Sequence, residues 1–289
     1  MKPAPFVYHT PESVEECLDL LVQYGDDAAV MAGGQSLLSL MKFRLATPAH
    51  IIALRDIGGD LTRIRRTETG IAVGALVTYA QVERSPEVAI VTPALLKVIP
   101  LIAHAAVRTR GTVCGNLCNA DPASELPAVA LVLEARMRLR SKDGERIIPA
   151  KEFFEAPYMT ARRSSEVLVS VEFPQRAFDE RFVIREIVRL RGGFPMAGIA
   201  LAVTPGTLPG TFATASIACF GVHSVQLRLS AVEQTLVAHG CTSEGLRLAA
   251  ALVDDLIEPH SDPFASADYR RAVVKTLLER SAREACAEG

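Results

Sequence analysis

Two glycine-bearing stretches constrain this chain more than any other feature: AGGQS at 32–36 and RTRGTVCGNLCNADPASELP at 108–127. In the first, Gly33 and Gly34 follow an apolar run, Ala28 to Ala32, and precede another. A buried strand turning directly into a helix is the local structure this pattern specifies. Backbone N–H groups and the positive end of a helix converge at such a turn, which suits a phosphate. Gln35 follows the glycines, and Ser36 offers a hydroxyl that can also cap the helix. Taken alone, the stretch reads as a tight turn. It is neither GxGxxG nor a Walker loop, which disfavours a Rossmann NAD site or a P-loop kinase.

In the second stretch, Gly111 and Gly115 bracket Thr112, Val113 and Cys114, and Asn116 comes next. Thr112 and Asn116 place side-chain donors beside more backbone amides. One loop of this kind is weak evidence. Two in successive lobes form a pattern that can grip both phosphates of a dinucleotide.

The surrounding grammar is mixed. Strands at 6–8, 28–32 and 50–54 alternate with helices, one capped at Thr10 with Pro11 and closed at Gly25, the other running from Leu37 to Leu45. This is a small α/β unit. From Asp60 the pattern changes to strands turned at Thr69-Gly70, a helix from Thr78, and another from Pro93 to about Ala106. A helix then runs into a strand over 125–141, a hairpin turns at Asp143-Gly144, and EVLVSVEFP (166–174) alternates as a half-buried strand. Three long strands and three helices, Ser230–Ala238, Ser243–Leu256 and Ala267–Ala285, complete the chain. The expectation is an α+β fold of three lobes: 1–59, 60–176 and 177–289.

Composition excludes several classes. A formal net charge of −2 lacks the basic stripe of a nucleic-acid binder, and the short arginine clusters at 63–66 and 162–163 read as solvated faces. No stretch approaches the ~20 apolar residues of a spanning helix, so the expected location is the cytoplasm. The six cysteines form no CxxC pair, so nothing here holds an iron–sulfur cluster alone.

The two stretches, together with EVLVSVEFP, RLRGGFPMAG and ASADYRRAVVKTLLER (265–280), resemble the FAD-binding (medium) subunit of the molybdenum hydroxylases. Carbon-monoxide dehydrogenase and xanthine dehydrogenase belong to that family, and the resemblance covers essentially the whole chain. It implies the vanillyl-alcohol-oxidase type of FAD-binding fold with a C-terminal antiparallel-sheet-plus-helices domain. Carried over by position, Ala32, Gly33, Gly34, Gln35 and Ser36, with Thr112, Val113, Cys114, Gly115 and Asn116, would contact pyrophosphate and ribityl. Glu125 would lie on the flavin side, Leu168 against the isoalloxazine, Phe194 beside the ring, and Glu186 at a polar position facing the cofactor. FAD would be held non-covalently. Molybdopterin and [2Fe-2S] clusters would reside in a large and a small partner subunit, in a dimer of heterotrimers.

Two departures stand out. The family commonly reads T-I-G-G-N where this chain has Cys114, and Phe194 lacks the hydroxyl of the family's tyrosine. Cys114 and Cys118 read as packing residues, Asp121-Pro122 as a turn, and Arg108 and Arg110 as partners of Asp121 or Glu125 or of phosphate. His104 reads as a helix-face residue, and Tyr269 to Arg271 as a tie between the last helix and a sheet. Two rival readings are a self-contained flavin oxidase or reductase and an assembly subunit that has lost FAD.

Overall fold

The computed structural model describes residues 2–287; Met1, Glu288 and Gly289, the ends of the first and third expected lobes, lie outside the described residues. Three larger sheets organise the chain. Strands β1 (Val7–His9), β2 (Ala28–Met31) and β3 (His50–Ala53) form a parallel sheet with β3 in the middle. Helices α1 (Val14–Tyr24) and α2 (Leu37–Lys42) make the connections, as the strand–helix alternation requires.

The cap of α1 is Ser13, not Thr10. Its hydroxyl accepts the N–H of Glu16 at 3.1 Å, while the Glu16 carboxylate accepts the N–H of Glu12 at 2.9 Å. A serine with a glutamate three residues on satisfies two free amides, where Thr10 could satisfy one. Gly25 closes the helix at φ 51, as expected. Strand β2 is half-buried along its length instead of buried, because it borders an open cavity.

A five-stranded antiparallel sheet follows. It contains β4 (Ile64–Arg66), β5 (Gly70–Gly74), β6 (Arg136–Ser141) and β7 (Gly144–Pro149). Beside it sits a small hairpin, β8 (Phe154–Ala156) and β9 (Met159–Thr160), and β10 (Val167–Pro174) is the central strand. Short helices fill the long connection from β5 to β6: α3 (Tyr79–Glu83), α4 (Pro86–Val91), α5 (Ala94–Val98), α6 (Ala105–Arg108), α7 (Val113–Asn119) and α8 (Glu125–Val132). The single helix expected over 93–106 is broken between α5 and α6. Pro100 removes a donor there, and Ala103 takes a left-handed φ of 47. Every residue of α8 is buried, which accounts for a sequence that is apolar all round.

The last sheet is antiparallel, β11 (Arg181–Val188), β12 (Pro195–Pro205), β13 (Phe212–Phe220) and β14 (Leu227–Arg228). Its two faces serve different cores. Ile199, Leu201, Ile217 and Cys219 pack against helices α9 (Ser230–His239), α10 (Ser243–Leu256) and α11 (Ala267–Ala287). The alternate residues Ala200, Ala202, Ala218 and Phe220 join the core of the preceding lobes. This period of two places α8 against the small side chains of β12 and β13. Arg270 performs the tie expected of 269–271. It is buried, donates to the carbonyls of Met196 and Gly221, and pairs with Asp262. Tyr269 is exposed, and Arg271 pairs with Asp268 three residues earlier on its own helix, so neither shares that role. Among the described residues, no helix is long and apolar enough to cross a membrane.

Candidate functional site

The two glycine-bearing stretches touch. A Cβ on Gly33 would run into the carbonyl oxygen of Arg110 and lie 3.1 Å from the Cα of Gly111, so only glycine permits this approach. Gly34 adopts φ 71, the left-handed geometry that turns β2 into α2. The N–H groups of Gly33, Gly34, Gln35 and Ser36 meet no acceptor among the described residues. The Ser36 hydroxyl does not cap α2, contrary to the expectation from its position, because its backbone is already helical. Four free amides at a helix start form a ready anion cradle.

The second stretch is built differently. What reads in the sequence as a loop at 112–116 is the start of α7, capped by Thr112, whose hydroxyl accepts the N–H of Gly115 at 3.0 Å. The N–H of Val113 is bound to the carbonyl of Val77 and that of Asn116 to the carbonyl of Thr112. Within 112–116, the amides of Thr112 and Cys114 meet no acceptor among the described residues. Cys114 is buried inside α7, at a position with no left-handed backbone, and its Sγ faces the carbonyl of Val73 at 3.6 Å. A side chain is therefore tolerated where the family has glycine. Burial pushes the Cys114 thiol up, and the Cys118 thiol up to about 11. Both are held as thiols, the unreactive form.

These walls enclose a cavity of 550 Å³ running from β2 and α2 past α7 to β10 and the segment before β12. Its size and mixed apolar and polar lining are those of a ligand site. Ala32 through Ser36, Thr112, Cys114, Gly115, Asn116, Glu125, Leu168 and Phe194 all line it. Val113 does not; its side chain is in the core. Glu186, on β11, is also absent from the lining and stands against Glu125. Leu168 is buried, whereas Phe194 is 76% exposed, an apolar ring held at the cavity mouth.

Two acidic positions in this wall have opposite electrostatics. Burial works against the charge of Glu166, yet paired bonds from the Arg146 guanidinium at 2.6 and 2.7 Å hold it below the usual carboxylate range. Glu125 faces another acid. Burial first, with Asp121 adding to it, pushes its carboxyl up to about 7, and burial together with Glu125 pushes Glu186 up to about 8. Tyr79 is raised by the same burial and stands beside Asn116, whose Oδ1 accepts from Ser124 at 2.8 Å.

The remaining residues fall out as follows. Asp121-Pro122 makes the expected turn, with Asp121 Oδ1 accepting the N–H of Ala123. Arg108 pairs with neither Asp121 nor Glu125. It donates to the carbonyls of Ile102 and Ala103 and lies 3.8 Å from Glu83. Arg110 is exposed, and its carbonyl, not its guanidinium, meets the site. His104 precedes α6 instead of lying on a helix face, and its ring borders the cavity against Gly192. Sequence reasoning did not place Tyr79, His104 or Arg162 at the cavity, since their local patterns are those of ordinary helix starts and loops.

Comparison with known proteins agrees with this geometry. The "FAD binding domain in molybdopterin dehydrogenase" family matches residues 4–176, and the "CO dehydrogenase flavoprotein C-terminal domain" family matches 183–285. The chain is 34% identical over 285 residues to the 6-hydroxypseudooxynicotine dehydrogenase complex subunit alpha of Paenarthrobacter nicotinovorans, covering 99% of this chain and 96% of that one. It is 33% identical to the carbon monoxide dehydrogenase medium chain of Hydrogenophaga pseudoflava, covering 99% of each. A solved structure of carbon monoxide dehydrogenase from Hydrogenophaga pseudoflava superimposes with a TM-score of 0.94 at 34% identity, covering 99% of this chain and 100% of that one. By sequence and by fold, the chain belongs to the FAD-binding medium subunits of the molybdenum hydroxylases, a family of oxidoreductases.

Proposed function

We propose that this chain is the electron-transferring FAD subunit of a cytoplasmic molybdenum hydroxylase. It would accept electrons from the iron–sulfur clusters of a small partner and pass them to an external acceptor, while a large molybdopterin-binding partner oxidises the substrate. The observation that carries the reading is the row of free amides at Gly33 to Ser36, closed against the backbone of Arg110 and opening on the cavity. These residues would hold the pyrophosphate, with Thr112 to Asn116 shaping the opposite wall. Val113 and Glu186 would act from behind that wall. Leu168 would pack on the isoalloxazine, and Phe194 would shield the ring from water at the mouth. When bound, FAD supplies the conversion of one-electron arrivals into a two-electron release; the chain positions it. The three sheets support a division into lobes at 1–59, 60–176 and 177–289. A dimer of heterotrimers is the assembly we expect.

Isolation from the native host tests this. The chain should co-purify with a large molybdopterin-containing and a small iron–sulfur chain, at the mass of two heterotrimers. Substrate turnover by this chain alone would favour a self-contained oxidase and overturn the reading. The rival view of an assembly subunit that has lost FAD rested on Cys114, and the ordinary helical backbone there removes its one support.

A further inference from the structure

Glu125 and Glu186 form a carboxyl pair with no counterpart elsewhere in the cavity wall. Glu125 is the first residue of α8, buried to 5% exposure, and it lines the cavity. Glu186 stands against it from β11, in the C-terminal sheet. Its second oxygen, Oε2, is buried with no partner. Arg185, the adjacent residue, pairs instead with Glu284. The titratable groups that act on the pair are Tyr79 from α3 and Asp121 from the turn before α8, and neither is a cation. The charged groups elsewhere in the lining are engaged or distant in the wall. Arg162 donates to the carbonyls of Arg163 and Glu166, Glu166 is held by Arg146, and the His104 ring is exposed against Gly192.

Two carboxyls in contact inside a dry wall cannot both be ionised at modest cost; one proton between them converts repulsion into an O–H···O hydrogen bond. We propose that Glu125 and Glu186 hold a proton between them and that FAD binds only while the pair retains at least one, so that cofactor affinity is lost when the pair becomes doubly ionised. The inference rests on the FAD reading above. Its physical basis is charge. A doubly ionised pair would add two negative charges behind the wall of a site that must also accept the anionic pyrophosphate, whereas a pair that keeps its shared proton in the O–H···O bond adds at most one.

The test is fluorescence titration of the FAD-stripped chain with FAD from pH 6 to 9.5 at fixed salt, for wild type and for Glu186→Gln. Gln presents a permanent N–H to Glu125 and cannot release a proton. Wild type should bind with constant affinity at low pH and weaken about tenfold per pH unit once the pair ionises, above pH ~8. Glu186→Gln should bind without that decline and retain FAD at pH 9.5. Titrations of other groups are common to both proteins and cancel. If Glu186→Gln does not fold, Glu125→Gln makes the same prediction from the other side. A wild-type affinity that is flat across the range, or a variant that weakens in parallel with wild type, overturns the proton-sharing role while leaving the FAD site intact. Absence of FAD binding at every pH overturns both.

Discussion

The residues at 33–36 and 112–116 look alike in sequence and do opposite things in the fold. The first leaves its backbone donors open because Gly34 is left-handed and Ser36 is already helical, so no side chain turns back to satisfy them. The second spends most of its donors within the chain, through the Thr112 cap, the first helical bond of Asn116 and the carbonyl of Val77 in the loop before α3. Their glycines differ accordingly. Gly33 is fixed by backbone, the carbonyl of Arg110, whereas a Cβ on Gly115 would meet only the Thr112 hydroxyl, at 2.7 Å. The lesson is that one stretch provides the anion cradle and the other a rigid wall that holds the cradle in shape. Glycine spacing alone does not distinguish the two.

Substitutions at the two sites should separate these roles. Gly33→Ala carries the largest expected effect. Forcing the stretches apart should weaken FAD binding by about 100-fold or more, roughly 2.7 kcal/mol, measured by titration of the stripped chain. An aspartate there should abolish binding by adding charge repulsion. Gly115→Ala should cost about tenfold, since a rotating hydroxyl gives way more easily than a carbonyl. Equal losses at both positions would erase the proposed distinction. Thr112→Ala removes the cap and should lower stability by about 1 kcal/mol, seen as a fall in Tm, with a smaller effect on FAD. Cys114→Gly, the change toward the family pattern, should leave FAD affinity unchanged and cost about 2 kcal/mol through lost packing and glycine's backbone freedom.

A second contrast lies between the two acids of the wall, and it governs pH. Glu125 and Glu186 have folded values raised above the ordinary carboxylate, so the folded chain holds more protons than the unfolded one between pH ~4.5 and ~8. The stability they confer is present below that window and is lost as pH rises through it. Glu166 is lowered, so its contribution is present above the ordinary value and is lost as pH falls below it. Thermal melts across pH should therefore decline on both sides. Glu186→Gln should flatten the alkaline side, and Glu166→Gln the acid side.

Much of this was legible in the sequence, for reasons that differ by element. The strand–helix alternation at 28–54 and the period of two in β12 and β13 report burial directly, and those elements lie where the pattern puts them. The α7 helix was not legible, because glycine, asparagine and two cysteines make a weak helical signal that Thr112 and tertiary packing override. The break between α5 and α6 was signalled by Pro100, but the left-handed Ala103 that completes it carries no local signal. At the site, glycine, serine and threonine positions carry their chemistry in the backbone and could be read locally. The pairing of Glu125 with Glu186 joins residues 61 positions apart, one on α8 and one on β11, and only the folded chain brings it about.

The most direct test of the central claim is the visible absorption spectrum of the purified chain, with chromatography of what heat releases. The account predicts a flavin spectrum and free FAD, close to one per chain. A colourless protein that stays colourless with added FAD and with its co-purified partners would contradict it.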